Sequence, residues 1–211
     1  MVSTNPKDWP HGRPLLPQKF IHDFKMERCA RAIADLVHEV GPHAVTASMV
    51  TKRVKVAKAT FYELFDGREA AFRYACENGR AALLEPVEAA AKEPGTWEGQ
   101  LESTIGALLG AASEEPHLAE LCLVHSTALL REQTGPYDSA FVKTLTRVLT
   151  DILPSIPEKS ILDFNELSAY GIVSIVARRL IDGKAEALPG LQGELTTIVS
   201  APYRTGEAAR A

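Results

Sequence analysis

A short run of residues in the N-terminal third of the chain could contact a polyanion. Lys58, Thr60 and Tyr62 alternate within the stretch VKVAKATFYELF, which spans Val54 to Phe65. A lysine ammonium pairs with phosphate, and all three side chains can donate hydrogen bonds to phosphates or to the edges of bases. Whether these groups act together depends on the elements that hold them.

The remaining reactive residue types form no catalytic or metal-binding pattern. The histidines show no HExxH spacing, and neither a GxSxG motif nor a phosphate-binding glycine loop occurs. Cys29, Cys76 and Cys122 are far apart and odd in number, which indicates neither a disulfide framework nor a zinc site. Cys122 and His125 could share a helical face as a catalytic pair, but two core residues are the commoner reading. The sequence predicts no enzyme, no metal and no cofactor.

Composition and charge favour a soluble protein with one basic end. Hydrophobic residues make up 45% of the 211 residues, and no apolar run is long enough to span a membrane. No secretory signal precedes the first helix, so we expect a cytoplasmic protein without a membrane partner. The net charge is −4, yet residues 1–80 hold 13 basic and 9 acidic side chains. A basic end on an acidic body is the asymmetry expected when one end meets a polyanion.

Hydrophobic periodicity predicts an all-α fold of about nine helices. Apolar residues recur three and four positions apart, and proline and glycine pairs such as Asp66-Gly67 and Pro94-Gly95 separate the helical segments. We expect helices over residues 18–40, 47–53, 58–64, 68–91, 97–113, 116–131, 137–153, 162–181 and 191–201.

These helices group into two domains with flanking segments. The proline-rich residues 1–17 are expected to form a flexible arm, and residues 204–211 a frayed tail. Residues 18–67 predict a three-helix helix-turn-helix domain, in which the second and third helices are short and joined by a tight turn. Residues 68–203 predict a larger helical domain.

Caps and apolar residues support the helix-turn-helix prediction. Gly41 suits a left-handed cap on the first helix, and Thr46 suits the N-cap of the second. The turn is expected to be anchored in a small core formed by Val45, Val50, Val54, Val56, Phe61 and Phe65.

The span GPHAVTASMVTKRVKVAKATFYELFDGRE, Gly41–Glu69, resembles the DNA-binding segment of the TetR family of transcriptional regulators. The glycine, the threonine cap, the valines, the Thr-Phe-Tyr run and the closing acidic residue follow the family order. The rest of the chain agrees in architecture only. The resemblance implies a one-component regulator, a repressor, that binds double-stranded operator DNA as a homodimer and is released by a small-molecule effector in the C-terminal domain.

The matched positions give a set of expected DNA contacts. Lys58 and Thr60 would face bases, Thr46, Tyr62 and Arg68 would face phosphates, and the other lysines would add nonspecific attraction. The full set is Thr46, Lys52, Lys55, Lys58, Ala59, Thr60, Tyr62 and Arg68.

Departures from the family pattern leave the operator preference open. Lys55 stands where the family usually has a glycine in the turn, Ala57 removes a polar cap, and Ala59 replaces a second glycine. A helical adaptor that binds another protein and has lost DNA binding is therefore the alternative function.

The apolar segment Leu167–Ile181 predicts a dimer interface. Small residues recur along it at three-residue spacing, which lets two helices approach closely. The resemblance implies that this helix and the last one pair with their copies in a four-helix interface, whereas the alternative is an internal helix of a monomer. The expected interface residues are Ser168, Gly171, Ile172, Ile175, Leu195 and Ile198.

The C-terminal domain also contains candidate residues for a largely apolar effector site. A set of large apolar side chains with a few polar groups has the composition of a small-molecule pocket, and the same set could fill a closed core. These residues are Phe72, Trp97, Leu101, Leu121, Cys122, His125, Phe141, Leu145 and Tyr170.

Overall fold

The computed structural model describes residues 17–126, 139–154 and 163–208, and these residues form nine α-helices and no strand. The all-α fold is therefore confirmed. The helices are α1 Gln18–Val40, α2 Ala47–Val54, α3 Lys58–Leu64, α4 Gly67–Ala90, α5 Trp97–Glu114, α6 Pro116–Glu120, α7 Ser139–Ile152, α8 Phe164–Ile181 and α9 Gln192–Ala208.

The sixth predicted helix changes its winding part of the way along. Its α-helical part ends at Glu120 and continues as a π turn, Leu121–His125. A π turn bonds each residue to the fifth one along instead of the fourth, so the side chains after Glu120 are rotated relative to an α-helix. Apolar periodicity does not reveal such a local change. The predicted continuation to residue 131 and the predicted start of the next helix at Tyr137 lie outside the described residues.

The last two helices also differ from the prediction. Asp163 caps α8, because its Oδ1 accepts hydrogen bonds from the backbone of Asn165 (2.9 Å) and of the following glutamate (3.3 Å). Helix α9 runs through Pro202 to Ala208, beyond the predicted end at residue 201 and into the predicted tail. Tyr203, 5% exposed, donates a hydrogen bond to Asn165 and so ties this extension to α8.

Two apolar cores lie along the chain, one at each end of α4. We call α1–α3 the head and the remaining helices the body. The core of the head continues into the first half of α4 and reaches Leu118 and Leu121 beyond it. The second core joins the rest of α4 to α5 and α7–α9. Helix α4 therefore connects the head to the body through packing on both sides of residue 79.

A close approach at Gly79 sets the distance between α4 and the π turn. A Cβ atom at this position would lie 2.5 Å from the Sγ of Cys122 and 2.9 Å from a side-chain carbon of Leu118. Only a residue without a side chain fits there, so this glycine lets α4 pack closely against α6 and its continuation.

Candidate nucleic-acid interface

The turn between α2 and α3 is formed without a glycine. Lys55 adopts φ 56° and ψ 50°, the left-handed conformation that glycine usually supplies. The backbone N–H of Val56 then bonds to the carbonyl of Thr51 (3.1 Å), as in a Schellman cap. Arg28 of α1 donates to the carbonyl of Val54 (2.8 Å). The turn keeps its geometry because these bonds offset the strain at Lys55.

The predicted caps around the turn fall into three cases. Thr46 caps α2, since its Oγ1 accepts a hydrogen bond from the backbone of Met49 (3.3 Å). Ala57 precedes α3 and provides no side-chain cap, because its methyl group cannot accept a hydrogen bond. Gly41 has a positive φ of 81°, but its ψ of 158° lies outside the left-handed helical region that was expected. Its conformation belongs to a region that is open almost only to glycine.

Helix α3 is divided into an inner and an outer face. Phe61, 1% exposed, points into the core of the head and contacts the Phe65 ring at 5.3 Å between centroids. Lys58 and Tyr62 lie one helical turn apart beside Phe61 and are both exposed, Tyr62 at 53%. Thr60 is half-buried at the border between the two faces. The outer face thus presents a cation and a phenol in adjacent positions.

The other predicted DNA contacts also lie at the surface of the head or next to it. Lys52, Lys55 and Ala59 are exposed, as is Arg68 at the start of α4. Arg68 already holds the loop before α2, because its Nε donates to the carbonyl of Val45 (2.9 Å) and its Nη2 to that of Pro42 (2.6 Å). Its guanidinium also lies over the ring of Phe72, 4.6 Å from the ring centroid. Its phosphate contact stays a prediction.

The predicted effector residues divide between the two cores. Phe72 and Leu121 belong to the core of the head, and the others belong to the body. Four of the nine side chains are fully buried, so in this conformation they line no open cavity. These four are Leu101, Leu121, Cys122 and Phe141. Leu145 is 1% exposed, whereas Trp97, His125 and Tyr170 are half-buried at the edge.

The predicted dimer residues likewise split according to the side of the helix on which they lie. Ile172 of α8 and Leu195 of α9 are buried in the body at 1% and 4% exposure, so they pack inside the body and offer little surface to a partner. Ile175 and Ile198 are 37% and 59% exposed. Ser168 and Gly171, the remaining two, are half-buried and exposed respectively.

Comparison with known proteins assigns the head. Residues 31–75 match the family model described as bacterial regulatory proteins, tetR family. This span contains the helix-turn-helix and the first third of α4. This part of the chain is therefore similar to the DNA-binding segment of that family.

Solved structures share the fold over most of the chain. The fatty acid degradation regulator FadR of Bacillus halodurans superimposes with a TM-score of 0.69 at 16% identity, over 83% of this chain and 94% of that one. FadR of Bacillus subtilis in complex with stearoyl-CoA gives 0.64 at 21% identity, over 82% and 96%. A TetR-like transcriptional regulator from Rhodococcus sp. RHA1 gives 0.61 at 16%, over 82% and 93%. No curated protein sequence matches the chain.

One residue on the outer face of α3 was missed by sequence reasoning. Glu63 is exposed on α3, one helical turn after Ala59. A carboxylate at this place can accept a hydrogen bond from a cytosine amino group, and it repels phosphates. Its position four residues after Ala59, on the same side of α3, is the sequence signal that could have identified it.

Within the described ranges no histidine, cysteine or acidic cluster suits a metal, and no helix has the length and apolarity of a membrane span.

Proposed function

We propose that this protein is a one-component transcriptional regulator, a repressor, that binds operator DNA as a homodimer. The observation that carries the proposal is the outer side of α3, where Lys58 and Tyr62 are exposed while Phe61 between them is buried in the core of the head. A buried aromatic residue fixes the helix, and the exposed cation and phenol remain free for a groove. The intact turn at Lys55 supports this function over that of an adaptor without DNA binding.

The proposed dimer uses the outer faces of α8 and α9. Large apolar side chains are exposed along one side of α8 at Leu167 (55%), Ile175 (37%) and Ile181 (58%), and Ile198 of α9 is 59% exposed. Gly171 lies on the same side of α8 and lets a second helix approach closely. A second copy of this chain is the partner that suits two recognition helices reading half-sites about 34 Å apart.

The proposed effector is a largely apolar small molecule that enters the body. The FadR neighbour from Bacillus subtilis was solved with stearoyl-CoA, which makes a long-chain acyl thioester the first probe to test. Because Leu101, Cys122 and Phe141 form a closed core in this conformation, a ligand that touches them must first separate α5, α7 and the π turn. Such an opening is a physical route from the effector to the head, since the π turn and α4 meet at Gly79.

The size of the coupling follows from the two affinities of the effector. A ligand that prefers the released state about 100-fold contributes about 2.7 kcal/mol against DNA binding.

The test is the affinity for duplex DNA taken from upstream of the gene, measured by fluorescence anisotropy at about 50 and 200 mM salt. The wild-type protein is expected to bind and to lose affinity as salt rises. Lys58→Ala and Tyr62→Ala should each weaken binding by about 1–3 kcal/mol while thermal unfolding stays unchanged. Lys143→Ala is the matched control, because it removes an exposed lysine from α7 in the body.

Two results would contradict the proposal. Binding that is absent at low salt, or that does not depend on salt, would favour the adaptor. Unfolding of the head by Tyr62→Ala would place Tyr62 in the core and remove it from the interface.

A further inference from the structure

Two stacked histidines join the head to the body. His38 near the end of α1 and His117 at the start of α6 have their ring centroids 4.2 Å apart, with 16° between the ring planes. Each ring is paired with a carboxylate across the junction. The Nδ1 of His38 lies 2.7 Å from an oxygen of Glu120 on α6, and that of His117 lies 2.8 Å from an oxygen of Asp35 on α1. Each of the two helices therefore contributes one imidazole and one carboxylate, and each group pairs with its counterpart on the other helix.

The π turn adds a third histidine to this junction. His125 Nε2 lies 3.2 Å from the second oxygen of Glu120. Five residues along an α-helix rotate a side chain about 140° away from the first, whereas a π turn brings the fifth residue back towards the same side. The change in winding after Glu120 is thus what lets one carboxylate meet both His38 and His125.

The junction is connected to the helix-turn-helix by a guanidinium. Arg53 of α2 donates to Glu39 of α1 (2.6 Å) and lies 4.0 Å from Asp35, the carboxylate that also meets His117. With neutral imidazoles, the three carboxylates of Asp35, Glu39 and Glu120 exceed this single cation by two charges. Protons on the histidines are the means of balancing that excess.

Other charged groups at this interface have nearby partners. Arg31 of α1 pairs with Glu115, which precedes α6, and lies 3.7 Å from Glu27 on its own helix. Helices α4 and α8 pack against α6 through the apolar cores. The hydrogen bond from His125 is the largest of the causes that hold the pKa of Glu120 below its ordinary value, and His38 adds to it. Glu120 is therefore an anion throughout the range in which histidines titrate.

We propose that His38, His117 and His125 form a proton-dependent clamp between α1 and α6, so that acidification locks the head against the body. A neutral ring donates one hydrogen bond to its carboxylate, and a protonated ring adds an ion pair to that bond. Imidazole is the side chain that changes charge within the physiological pH range, so the clamp responds to acidification. The proton is the ligand of this site, separate from the DNA and the effector.

The test is hydrogen–deuterium exchange of the full chain at pH values from 8 to 5.5, corrected for the intrinsic exchange rate with an unstructured peptide. In the wild-type protein, protection of residues 31–40 and 116–126 should rise about tenfold on acidification, since each of two partly exposed ion pairs contributes a factor of about three. The double variant His38→Gln/His117→Gln keeps hydrogen-bond donors at both positions and leaves only His125 to be protonated, so most of the pH dependence of its protection should be lost.

Two further variants make the outcome decisive. His22→Gln removes an exposed histidine of α1 that lies beside Asp23, outside the junction, and should retain the wild-type response. Glu120→Gln removes the shared carboxylate and should reduce the response even if the double variant is poorly folded. A wild-type protein without pH-dependent protection would overturn the clamp, and so would a double variant that responds as the wild type does.

Measuring DNA affinity over the same pH range separates this inference from the proposed function. A chain that binds no DNA at any pH refutes the regulator, while its exchange pattern still decides the clamp. A chain that binds DNA with equal pH dependence in the wild-type and double-variant forms refutes the coupling of the clamp to the head.

Discussion

Replacing Lys55 by glycine should stabilise this protein. Lys55 has a positive φ of 56° and a ψ of 50° at the end of α2, a conformation in which the Cβ atom of any L-residue crowds the following carbonyl. Its side chain is exposed, so the substitution removes no buried contact. The cap bond from Val56 to Thr51 is formed by the backbone and survives the change.

The expected gain follows from two opposing quantities. The left-handed conformation costs a residue with a side chain about 1–2 kcal/mol. Glycine recovers this cost, but it loses about 0.5–1 kcal/mol more conformational entropy on folding. The net stabilisation lies between about 0 and 1.5 kcal/mol, and its midpoint of about 0.75 kcal/mol raises the melting temperature of a chain of this size by about 1.5–3 °C.

Thermal and urea unfolding followed by circular dichroism would measure the effect. Lys52→Gly is the matched control, because it removes the same exposed charge from inside α2 and should lower the stability by about 1 kcal/mol. A Lys55→Gly variant that unfolds at or below the wild-type temperature would refute the strain argument. It would mean that the lysine side chain contributes a contact worth more than the relief of strain.

Two other substitutions test the packing and the assembly. Gly79→Ala should destabilise the protein by about 1–3 kcal/mol, because the new methyl group overlaps the helix packed against α4. Gly110→Ala on α5 meets nothing within 4 Å and should be neutral or stabilising, and equal effects of the two substitutions on urea unfolding would contradict the close approach. Ile198→Asp should convert the proposed dimer to a monomer in sedimentation equilibrium, whereas Val40→Asp on α1, another exposed apolar position, should not. A monomeric wild-type protein would remove the basis of the second prediction.

The sequence by itself determined the helices and the head, because those features are local. Hydrophobic periodicity and breakers placed nearly every helix within a few residues of its observed bounds, and Thr46 could be identified as a cap from its position alone. The strained turn at Lys55 was also foreseeable, since the chain must reverse there and no glycine is present. These inferences need only the neighbours of each residue along the chain.

The tertiary structure decided which face of each helix is covered. Helices α8 and α9 are apolar on more than one side, so sequence alone could not separate the buried Ile172 and Leu195 from the exposed Ile175 and Ile198. The sequence placed all four at one interface, whereas packing against the body assigns two of them to the core.

Contacts between residues far apart in sequence could not be predicted from local patterns either. His38 and Glu120 are 82 positions apart, and their contact exists only because α6 crosses the end of α1. The π turn that adds His125 depends on local hydrogen bonding that periodicity does not report. Long-range packing determines such contacts, because each helix can lie against its neighbours in several ways that its own residues satisfy equally well.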